Sequence, residues 1–462
     1  MSNSSMVTST GVDAFGLNPA NYDFHLLKNT DKLKNVKGRS LKPVWQISIV
    51  SVGGGYGSDT TIDFYNTYLK YLSVNRTTFT DLFTDFVSII KFRDSILPGK
   101  QTQVNYDFEL KWLSINLASS KFGAFNISIA DKVGLNTNAY SRDQEMPLVF
   151  IYHLNANGTY NLTNVQLNQS QATAWWLRKY TFGYAKQFDF KPKSGVRSFS
   201  IGAAMGLVNG FGNVITNNST LSINTYGVRR LPSGYNHVDS LTGTQSFHTE
   251  SALTDFFRDY NDGAKSHFDF FPKPAGTGYS LDMGMAMQIG DAWKFALSVT
   301  DIGQITWNYH TTINNDNNSF VYKNFDLVNT DPTYNQFVND LEGLNTRDTV
   351  TSYTTNMPTK YRAGLSFQPS KKILFELNWI KGDNNMPGNT TQNIVALGTE
   401  YFPIPFLPLR TGVSVGGPGD FYVGFGAGLK FNFFTLDIAT NGINQIIANK
   451  RFSVSFSSKL IL

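Results

Sequence analysis

The chain has 462 residues, a formal net charge of +5 and no cysteine. Without cysteine it can form no disulfide, thiolate metal site or thiol nucleophile, and the small charge without a basic block argues against nucleic-acid binding. Aromatic residues make up 14% and charged residues only 16% of the chain, a low charged share for a soluble surface. Since no apolar run approaches the roughly 20 residues of a membrane helix, we exclude a helical membrane protein.

The first 40 residues lack the alternation of a β-strand and carry the tripeptide Asn18-Pro19-Ala20. Proline fixes its own φ and moves the preceding residue out of helical geometry, so the tripeptide predicts a turn. Two interpretations stay open: a simple N-terminal arm, or a plug inserted into a barrel. The chain opens without the basic and apolar regions of a signal peptide, and we expect that such a peptide was removed before residue 1.

Residues 41–57 form the first predicted strand. Residues 59–98 then change period, because their apolar residues recur at spacings of three and four. This spacing predicts two short amphipathic helices in a loop, which either cap a barrel or form a hydrophobic landing groove. The second strand, 103–118, shifts its apolar phase near Trp112, and the shift predicts a β-bulge.

A hairpin over residues 278–307 shows strand periodicity most clearly. Its first half alternates large apolar residues with small or polar ones, and a Gly290-Asp291 turn restarts the alternation. A strict period of two places one set on each face of a strand. The apolar set is Tyr279, Leu281, Met283, Met285, Met287 and Ile289, then Trp293, Phe295, Leu297 and Val299. A soluble sandwich would use the same pattern, so its recurrence along the chain decides between the two architectures.

Recurrence of this pattern gives fourteen predicted strands. Besides those above they are 122–138, 174–190, 196–208, 360–368, 371–381, 393–402, 408–416, 420–431, 433–440 and 449–462. The segments 139–173, 209–276 and 308–358 are predicted as long loops, the second with a small ribbon near 219–228. The longest connections follow odd-numbered strands, and outer-membrane barrels show the same asymmetry between long extracellular loops and short periplasmic turns.

We therefore predict an all-β fold: a 14-stranded antiparallel transmembrane β-barrel over residues 41–462. An N-terminal hatch or plug over residues 1–40 and short helices in the extracellular loops complete it. The predicted location is the bacterial outer membrane, and an even strand number places both termini in the periplasm.

Polar residues opposite the apolar face are predicted to point into the lumen. The charged candidates are Asp107, Glu109, Lys111, Asp282, Arg362, Glu376, Glu400, Arg410, Lys430 and Asp437. Facing lipid, each Arg or Lys would cost ~2–4 kcal/mol at the bilayer midplane; facing inward, the charges either pair in a hydrated wall or line a substrate path. Inward glycines, namely Gly284, Gly364, Gly412, Gly424, Gly426 and Gly428, mark close approach of another backbone. The N-terminal segment is the predicted occupant, since a ring of this size is too wide for its own side chains to fill.

Catalytic chemistry finds no support in the sequence. The six histidines are scattered in the N-terminal arm and the predicted loops, and no Gly-x-Ser-x-Gly elbow or nucleotide-binding motif is present. We predict a non-enzyme without catalytic residues, metal or cofactor.

The hatch tripeptide resembles that of the long-chain fatty-acid transporter (FadL-like) superfamily of outer-membrane barrels, in which an Asn-Pro-Ala hatch blocks the lumen. The hairpin is similar to that of an uncharacterised Bacteroidota branch, through Gly278, Leu281, Asp282, Gly284, Asp301, Gly303, Ile305 and Trp307. Two departures are the terminal Leu462 in place of an aromatic residue and a ligand-binding set that does not map onto this chain.

The resemblance implies one of two functions. The first is uptake of a hydrophobic or amphipathic small molecule through a hatch-gated lumen. The second is an accessory or shuttle subunit of a Bacteroidota outer-membrane complex, in type IX secretion or barrel assembly, without transport. The expected partners are outer-membrane lipid and lipopolysaccharide, a hydrophobic small-molecule ligand, and other outer-membrane or periplasmic proteins.

Overall fold

The computed structural model describes residues 5–23, 44–58, 102–119, 121–139, 165–190, 195–233, 236–255, 271–326, 330–336, 348–417, 421–446 and 451–462. No helix in these ranges is long and apolar enough to cross a membrane. The helices predicted within 59–98 lie outside the described residues.

Eighteen strands follow one another in the described part of the chain. They are β1 (Val44–Ser58), β2 (Thr102–Ser119), β3 (Gly123–Ala139), β4 (Val165–Asp189), β5 (Val196–Arg230), β6 (Asn236–Leu253), β7 (Gly276–Ile289), β8 (Trp293–Trp307), β9 (Thr311–Asp326), β10 (Asp348–Thr349), β11 (Tyr353–Asn356), β12 (Lys360–Ser370), β13 (Ile373–Gly382), β14 (Ile394–Ile404), β15 (Leu407–Gly416), β16 (Phe421–Lys430), β17 (Phe434–Asn441) and β18 (Arg451–Ile461). Two 3-10 turns, Gly11–Ala14 and Pro19–Tyr22, precede them, and a short helix, α1 (Ile443–Ile446), lies between β17 and β18.

Fourteen of these strands close into one antiparallel ring. β1 to β5 pair in sequence, β5 continues to β7, β7 to β8, and β8 crosses to β12. β12 to β18 again pair in sequence, and β18 returns to β1. The predicted 14-stranded barrel is therefore confirmed. β1 and β18 meet at the rim that carries the short turns, where Trp45 and Leu462 exchange two backbone hydrogen bonds of 3.0 and 2.9 Å.

The apolar alternate residues of the wall face away from the ring. Tyr279, Leu281 and Met283 are 38–49% exposed, whereas Ser280 and Asp282 between them are buried. The same holds for the exposed Phe375, Leu377 and Trp379 of β13 and for Phe421 and Phe425 of β16. Soluble proteins rarely expose an apolar surface of this extent to water, whereas contact with the hydrocarbon of a bilayer requires one. The ring is therefore a transmembrane barrel with lipid on its outside.

Three predicted loops contain strands that the sequence pattern missed. β4 begins at residue 165 and not at 174, and β5 runs on to residue 230. Beyond the ring, the upper half of β5 pairs with β6, and β6 pairs with β9. In the described parts of 209–276 and 308–358, the upper half of β5, β6 and β9 thus form a ribbon that extends the wall past the rim and is larger than the ribbon expected near 219–228. The strands of this extension lack the apolar alternation that marks a lipid-facing strand, although Val238 and Leu241 of β6 and Phe325 of β9 are buried.

Several irregularities interrupt the ladder, and two of them involve β1 and β2. The pairing of β2 with β3 shifts between Lys111 and Leu113, which confirms the bulge predicted near Trp112. The seam between β1 and β18 shifts between Ile47 and Val52, where Val50 adopts a left-handed φ of 59°. A β-branched residue rarely adopts this conformation.

Candidate functional site

The described part of the N-terminal segment, residues 5–23, lies inside the ring and is called the plug below. Its side chains Val7 and Ala20 are fully buried and pack near Ala286 of β7 and Ala296 of β8. Its turn Pro19–Tyr22 contacts β4, β5 and β7, and its turn Gly11–Ala14 contacts β1 and β2. Residues 1–4 and 24–40 of the predicted hatch lie outside the described residues.

Asn18 and Pro19 shape the second turn of the plug. The Asn18 side chain caps the turn, because its Oδ1 accepts a hydrogen bond of 3.0 Å from the Ala20 amide. Such capping is the usual role of asparagine at a helix start, and proline fits the first position because it has no amide to satisfy. Asn18 Nδ2 also donates to the Met285 carbonyl of β7 at 3.1 Å. The hatch tripeptide therefore joins the plug to the wall.

Wall glycines provide the room for this contact. A Cβ added to Gly202 of β5 would lie 2.5 Å from the Pro19 carbonyl carbon. One added to Gly364 of β12 would lie 2.0 Å from Asn378 Oδ1 of β13 and 2.4 Å from the Val7 side chain. Glycine was predicted to mark backbone approach at Gly364, whereas Gly202 was not singled out. Gly426 and Gly428 behave differently, since a Cβ there would meet the neighbouring strand β17.

Glu376 of β13 holds the beginning of the plug. Its Oε1 accepts a hydrogen bond of 2.7 Å from the Val7 amide, and its Oε2 accepts one from the Thr8 hydroxyl. Asn378 Nδ2 donates to the same carboxylate at 2.8 Å. The carboxylate is almost fully buried, so these three donors replace the water that it loses. The predicted lumen residue Glu376 therefore contacts the plug directly.

The other end of the plug is bound by side chains of β5 and β8. Lys294 Nζ donates to Asn21 Oδ1 at 3.0 Å. The Ser298 hydroxyl donates to a plug carbonyl at 2.6 Å, and the Ser200 hydroxyl donates to the Ala20 carbonyl at 2.7 Å. Asn116 of β2, on the opposite side of the ring from β13, donates to the Tyr22 carbonyl at 3.2 Å. The plug is therefore tied across the lumen and not to one wall.

A layer of buried charges lies beside the plug, further from the short-turn rim. Lys179 Nζ of β4 lies 2.6 Å from Asp301 Oδ1 and 3.2 Å from Asp282 Oδ2, and Lys132 Nζ of β3 lies 3.2 Å from Asp301 Oδ2. These four residues are called the charge layer below. Two cations balance two carboxylates, and buried charges persist only when paired in this way. Asp301 has a left-handed φ of 59°, and its amide donates to Asp282 Oδ1 at 2.6 Å.

Near the short-turn rim, Arg410 of β15 links two of the other predicted lumen residues. Its Nε lies 2.5 Å from Glu400 Oε2 of β14, and its Nη1 forms a second ion pair with Asp437 of β17. Lys430 lies 5.8 Å from the ring centre of Phe402. These charges pair with one another on the wall, and none of the plug anchors described above involves them.

Two of the cavities formed by the described residues lie in the lumen. The upper cavity, of about 380 Å³, is lined by Ser5, Met6 and Leu17 of the plug and by wall residues that include Asp107, Lys360, Arg362, Ile380, Ile394 and Tyr422. The lower cavity, of about 330 Å³, lies along β18, β1 and β2 and is lined mainly by serine, glycine and the charged residues Asp107, Glu109 and Lys111. Asp107 and Ser453 line both cavities. The predicted candidates Asp107, Glu109, Lys111 and Arg362 thus border open space.

An apolar cluster fills the lumen at the end opposite the short turns. Trp307 of β8 is fully buried beside Trp175, Tyr353 and Met357, and its Nε1 donates to Thr355 Oγ1 at 2.9 Å. The orientation of the apolar side chains along β8 changes at Asp301. The last residues of the strand therefore point into the lumen, whereas those before Asp301 face lipid. This cluster closes part of the lumen above the charge layer.

Several functional side chains were missed by sequence reasoning. Lys132, Lys179 and Lys294 were not singled out, although each stands on the polar face of a predicted strand opposite lipid-facing residues. Arg178, beside Lys179, forms a bidentate pair with Asp131 at 2.6 and 2.9 Å. The sequence signal that could have identified these residues is a basic side chain in the middle of a predicted strand.

Within the described ranges, no group of three or more histidine, aspartate or glutamate side chains is placed to hold a metal ion. The histidines there contact one or two side chains each: His237 lies 2.7 Å from Asp326 and 3.5 Å from Asp239, and His310 lies 3.0 Å from Asp255. They lie on the extension and in its connections.

Among solved structures, the chain is similar to several transporter barrels. It shares 10% identity with the Pseudomonas putida toluene transporter TodX, with a TM-score of 0.41 over 100% of this chain and 97% of that one. For the Ralstonia pickettii toluene transporter TbuX, the identity is 10% and the TM-score is 0.40, with 98% of this chain and 92% of that one covered. For a Pseudomonas aeruginosa FadL homologue, the identity is 10% and the TM-score is 0.43, with 99% of this chain and 95% of that one covered. The narrower Bacteroidota branch stays a prediction.

A search of curated proteins finds no match to this chain. A family profile described as a family of unknown function, DUF5723, matches residues 55–441. The match runs from the end of β1 to the last residue of β17 and so covers most of the barrel wall. The chain therefore belongs to this family, DUF5723.

Proposed function

We propose that this protein is an outer-membrane barrel that takes up a small hydrophobic or amphipathic molecule through a lumen controlled by its N-terminal plug. The observation that carries the proposal is the upper cavity, which has the plug as one wall and the barrel as the other. A ligand there touches the plug directly. The shared position of β1 and β18 at the short-turn rim supports an orientation with both termini in the periplasm.

The upper cavity suits a ligand with one apolar and one polar part. Ile380, Ile394 and Tyr422 form an apolar side, and Asp107 and Lys360 bring opposite charges to the cavity. In the described part of the chain, Lys360 has no carboxylate within ion-pair distance. Ligand sites commonly combine an apolar lining with a few polar groups that set orientation. An amphipathic molecule satisfies both sides at once.

Ligand content tests this proposal. The protein is purified in a mild detergent and its small-molecule and protein content is identified by native mass spectrometry. We expect a bound amphipathic molecule with the natural protein and its loss with Ile394→Asp, which places a charge in the apolar side of the cavity. The control Ser240→Ala on the extension should keep the molecule.

Two outcomes would count against uptake. One is a lumen without a bound small molecule in both the natural protein and the variant. The other is stable co-purification with outer-membrane proteins and no small molecule, which would favour the accessory-subunit function.

A further inference from the structure

The connection between β13 and β14, residues 383–391, folds into the lumen and is called the crossing loop below. A Cβ added to Gly134 of β3 would lie 2.3 Å from the Cβ of Pro387 in this loop. Asn136 Nδ2 of β3 donates to the Asn385 carbonyl at 2.5 Å. β3 and β14 stand seven strands apart in the ring of fourteen, on opposite walls. The loop therefore spans the lumen at the end opposite the short turns.

Side-chain amides hold the crossing loop in this position. Asn384 Nδ2 donates to the Met357 carbonyl at 2.8 Å, and Asn389 Nδ2 donates to the Thr359 carbonyl at 3.1 Å. The two amides also bind each other, because Asn384 Oδ1 accepts from Asn389 Nδ2 at 3.0 Å. Backbone groups that leave water need such partners. The loop is thus fixed to the segment between β11 and β12 and has a defined shape.

The crossing loop separates two parts of the outer lumen. On one side, Met386 packs against the apolar cluster around Trp307. On the other side, Gly388, Asn389 and Thr390 line the upper cavity. The wall strands that line this cavity are β1, β2 and β12 to β18. The apolar cluster and the loop therefore occupy the β8 side, and the upper cavity lies on the opposite side of the loop.

Between the crossing loop and the facing wall, the outer end of the upper cavity forms a neck. Asn389 and Thr390 border it from the loop, and Asn105 of β2 and Asn441 of β17 border it from the wall. These four side chains are polar and uncharged. Asp107 stands two residues nearer the short-turn rim than Asn105 on β2. Since selectivity of a pore depends on its diameter and on the groups that line it, such a neck sorts molecules by width and not by sign of charge.

We propose that the crossing loop is the outer size filter of this barrel and that it selects by width the molecules that reach the upper cavity through the neck. The filter is a fixed constriction and requires no movement of the plug. This inference rests on the proposed function and adds to it the element that sets the size of the ligand.

Labelling of a single thiol tests the filter in the full chain, which has no cysteine of its own. Ser453→Cys places the thiol in the upper cavity. Intact cells are treated with membrane-impermeant maleimides: a small sulfonated one, and others with polyethylene glycol chains of increasing length. We expect the longest reagents to react at least about tenfold more slowly than the small one, because width limits their passage. Thr244→Cys on the exposed extension measures the effect of reagent length alone.

Two loop variants, each combined with Ser453→Cys, should weaken this size dependence. Replacing residues 383–391 by Asn-Gly joins β13 and β14 through a two-residue hairpin turn and clears the lumen, so long reagents should react nearly as fast as on the extension. Gly134→Ala forces Pro387 away from the wall and should also raise the rate of the long reagents. Gly195→Ala is the matched control, because its Cβ meets no atom within 4 Å.

The outcomes separate the filter from the proposed function. An unchanged size dependence with the shortened loop would overturn the filter, whatever ligand the protein carries. If the shortened loop admits long reagents but native mass spectrometry finds no bound small molecule in the natural protein, the filter stands and uptake loses its support. If the shortened variant loses its heat-modifiable folded band on gels, Gly134→Ala decides: long reagents that react no faster than in Gly195→Ala would refute the filter.

Discussion

Asn18 occupies the space that a side chain at Gly284 would need: a Cβ added to Gly284 would lie 1.9 Å from Asn18 Oδ1. The plug and the wall strand β7 are therefore in such close contact at Asn18 Oδ1 that they match only with glycine at position 284. Since the two residues belong to the hatch tripeptide and to the hairpin motif, the two sequence features that stood out earliest meet in the folded protein.

This match predicts that Gly284→Ala displaces the plug. An added methyl group cannot fit beside a capping side chain that is fully buried, and overpacking of this kind costs about 1–3 kcal/mol. We expect raised conductance in planar bilayers and faster cleavage of the plug by protease. Gly54→Ala is the control, because its Cβ would make an ordinary contact of 3.4 Å with Phe108; equal behaviour of the two variants would refute the match.

Glu376→Gln is expected to loosen the beginning of the plug. A glutamine keeps the shape but has one acceptor oxygen, so the Val7 amide or the Thr8 hydroxyl loses its partner. Hydrogen bonds to a charged group contribute about 1.5–3 kcal/mol. Limited proteolysis should cut the plug of this variant sooner. Glu400→Gln makes the same chemical change at a carboxylate paired with Arg410, and its plug should stay protected.

The charge layer predicts a large loss of stability for Lys179→Met. The change leaves Asp282 without its cation, and breaking a buried pair costs about 3–5 kcal/mol. The midpoint of urea unfolding in detergent should fall accordingly. Arg229→Met removes the exposed pair with Asp239 and should cost at most about 1 kcal/mol. Similar midpoints for both variants would show that the layer does not stabilise the barrel.

Asp255, which follows β6, predicts a pH dependence outside the membrane. Burial raises the pKa of its carboxyl, but hydrogen bonds from Tyr309 and His310 outweigh burial and hold the pKa below its usual value. Because the folded pKa is lowered, the stabilisation is present above the unfolded pKa of about 4 and is lost as pH falls below it. Thermal unfolding should separate Asp255→Asn from the natural protein at pH 7 and not at pH 2; a constant difference would contradict this.

The membrane part of the fold was predictable because lipid enforces a strict alternation. Tyr279, Met283 and Met287 face hydrocarbon, where a polar side chain would destabilise the barrel. The sequence of β7 therefore shows a clear two-residue period. The extension was not predictable, because in β6 and β9 Asn, Thr and Ser stand between the few buried apolar residues, among them Val238, Leu241 and Phe325, and no regular period results.

The candidate site was predictable only in part. Inward charges and inward glycines follow from the alternation, and Glu376 and Gly284 were found in this way. Their partners were not, because Val7 and Glu376 are separated by 369 positions in the chain and no local pattern encodes such a contact. The grouping of Lys132, Lys179, Asp282 and Asp301 likewise depends on the register of four strands.

The most direct test of the account is the conductance of the barrel without its plug. A variant lacking residues 1–35 is reconstituted in planar bilayers beside the full chain, and circular dichroism verifies that both retain their β-structure. If the N-terminal segment fills the lumen, the shortened protein shows large, lasting conductance steps where the full chain is nearly silent. Equal sealing by the two proteins would contradict the central claim.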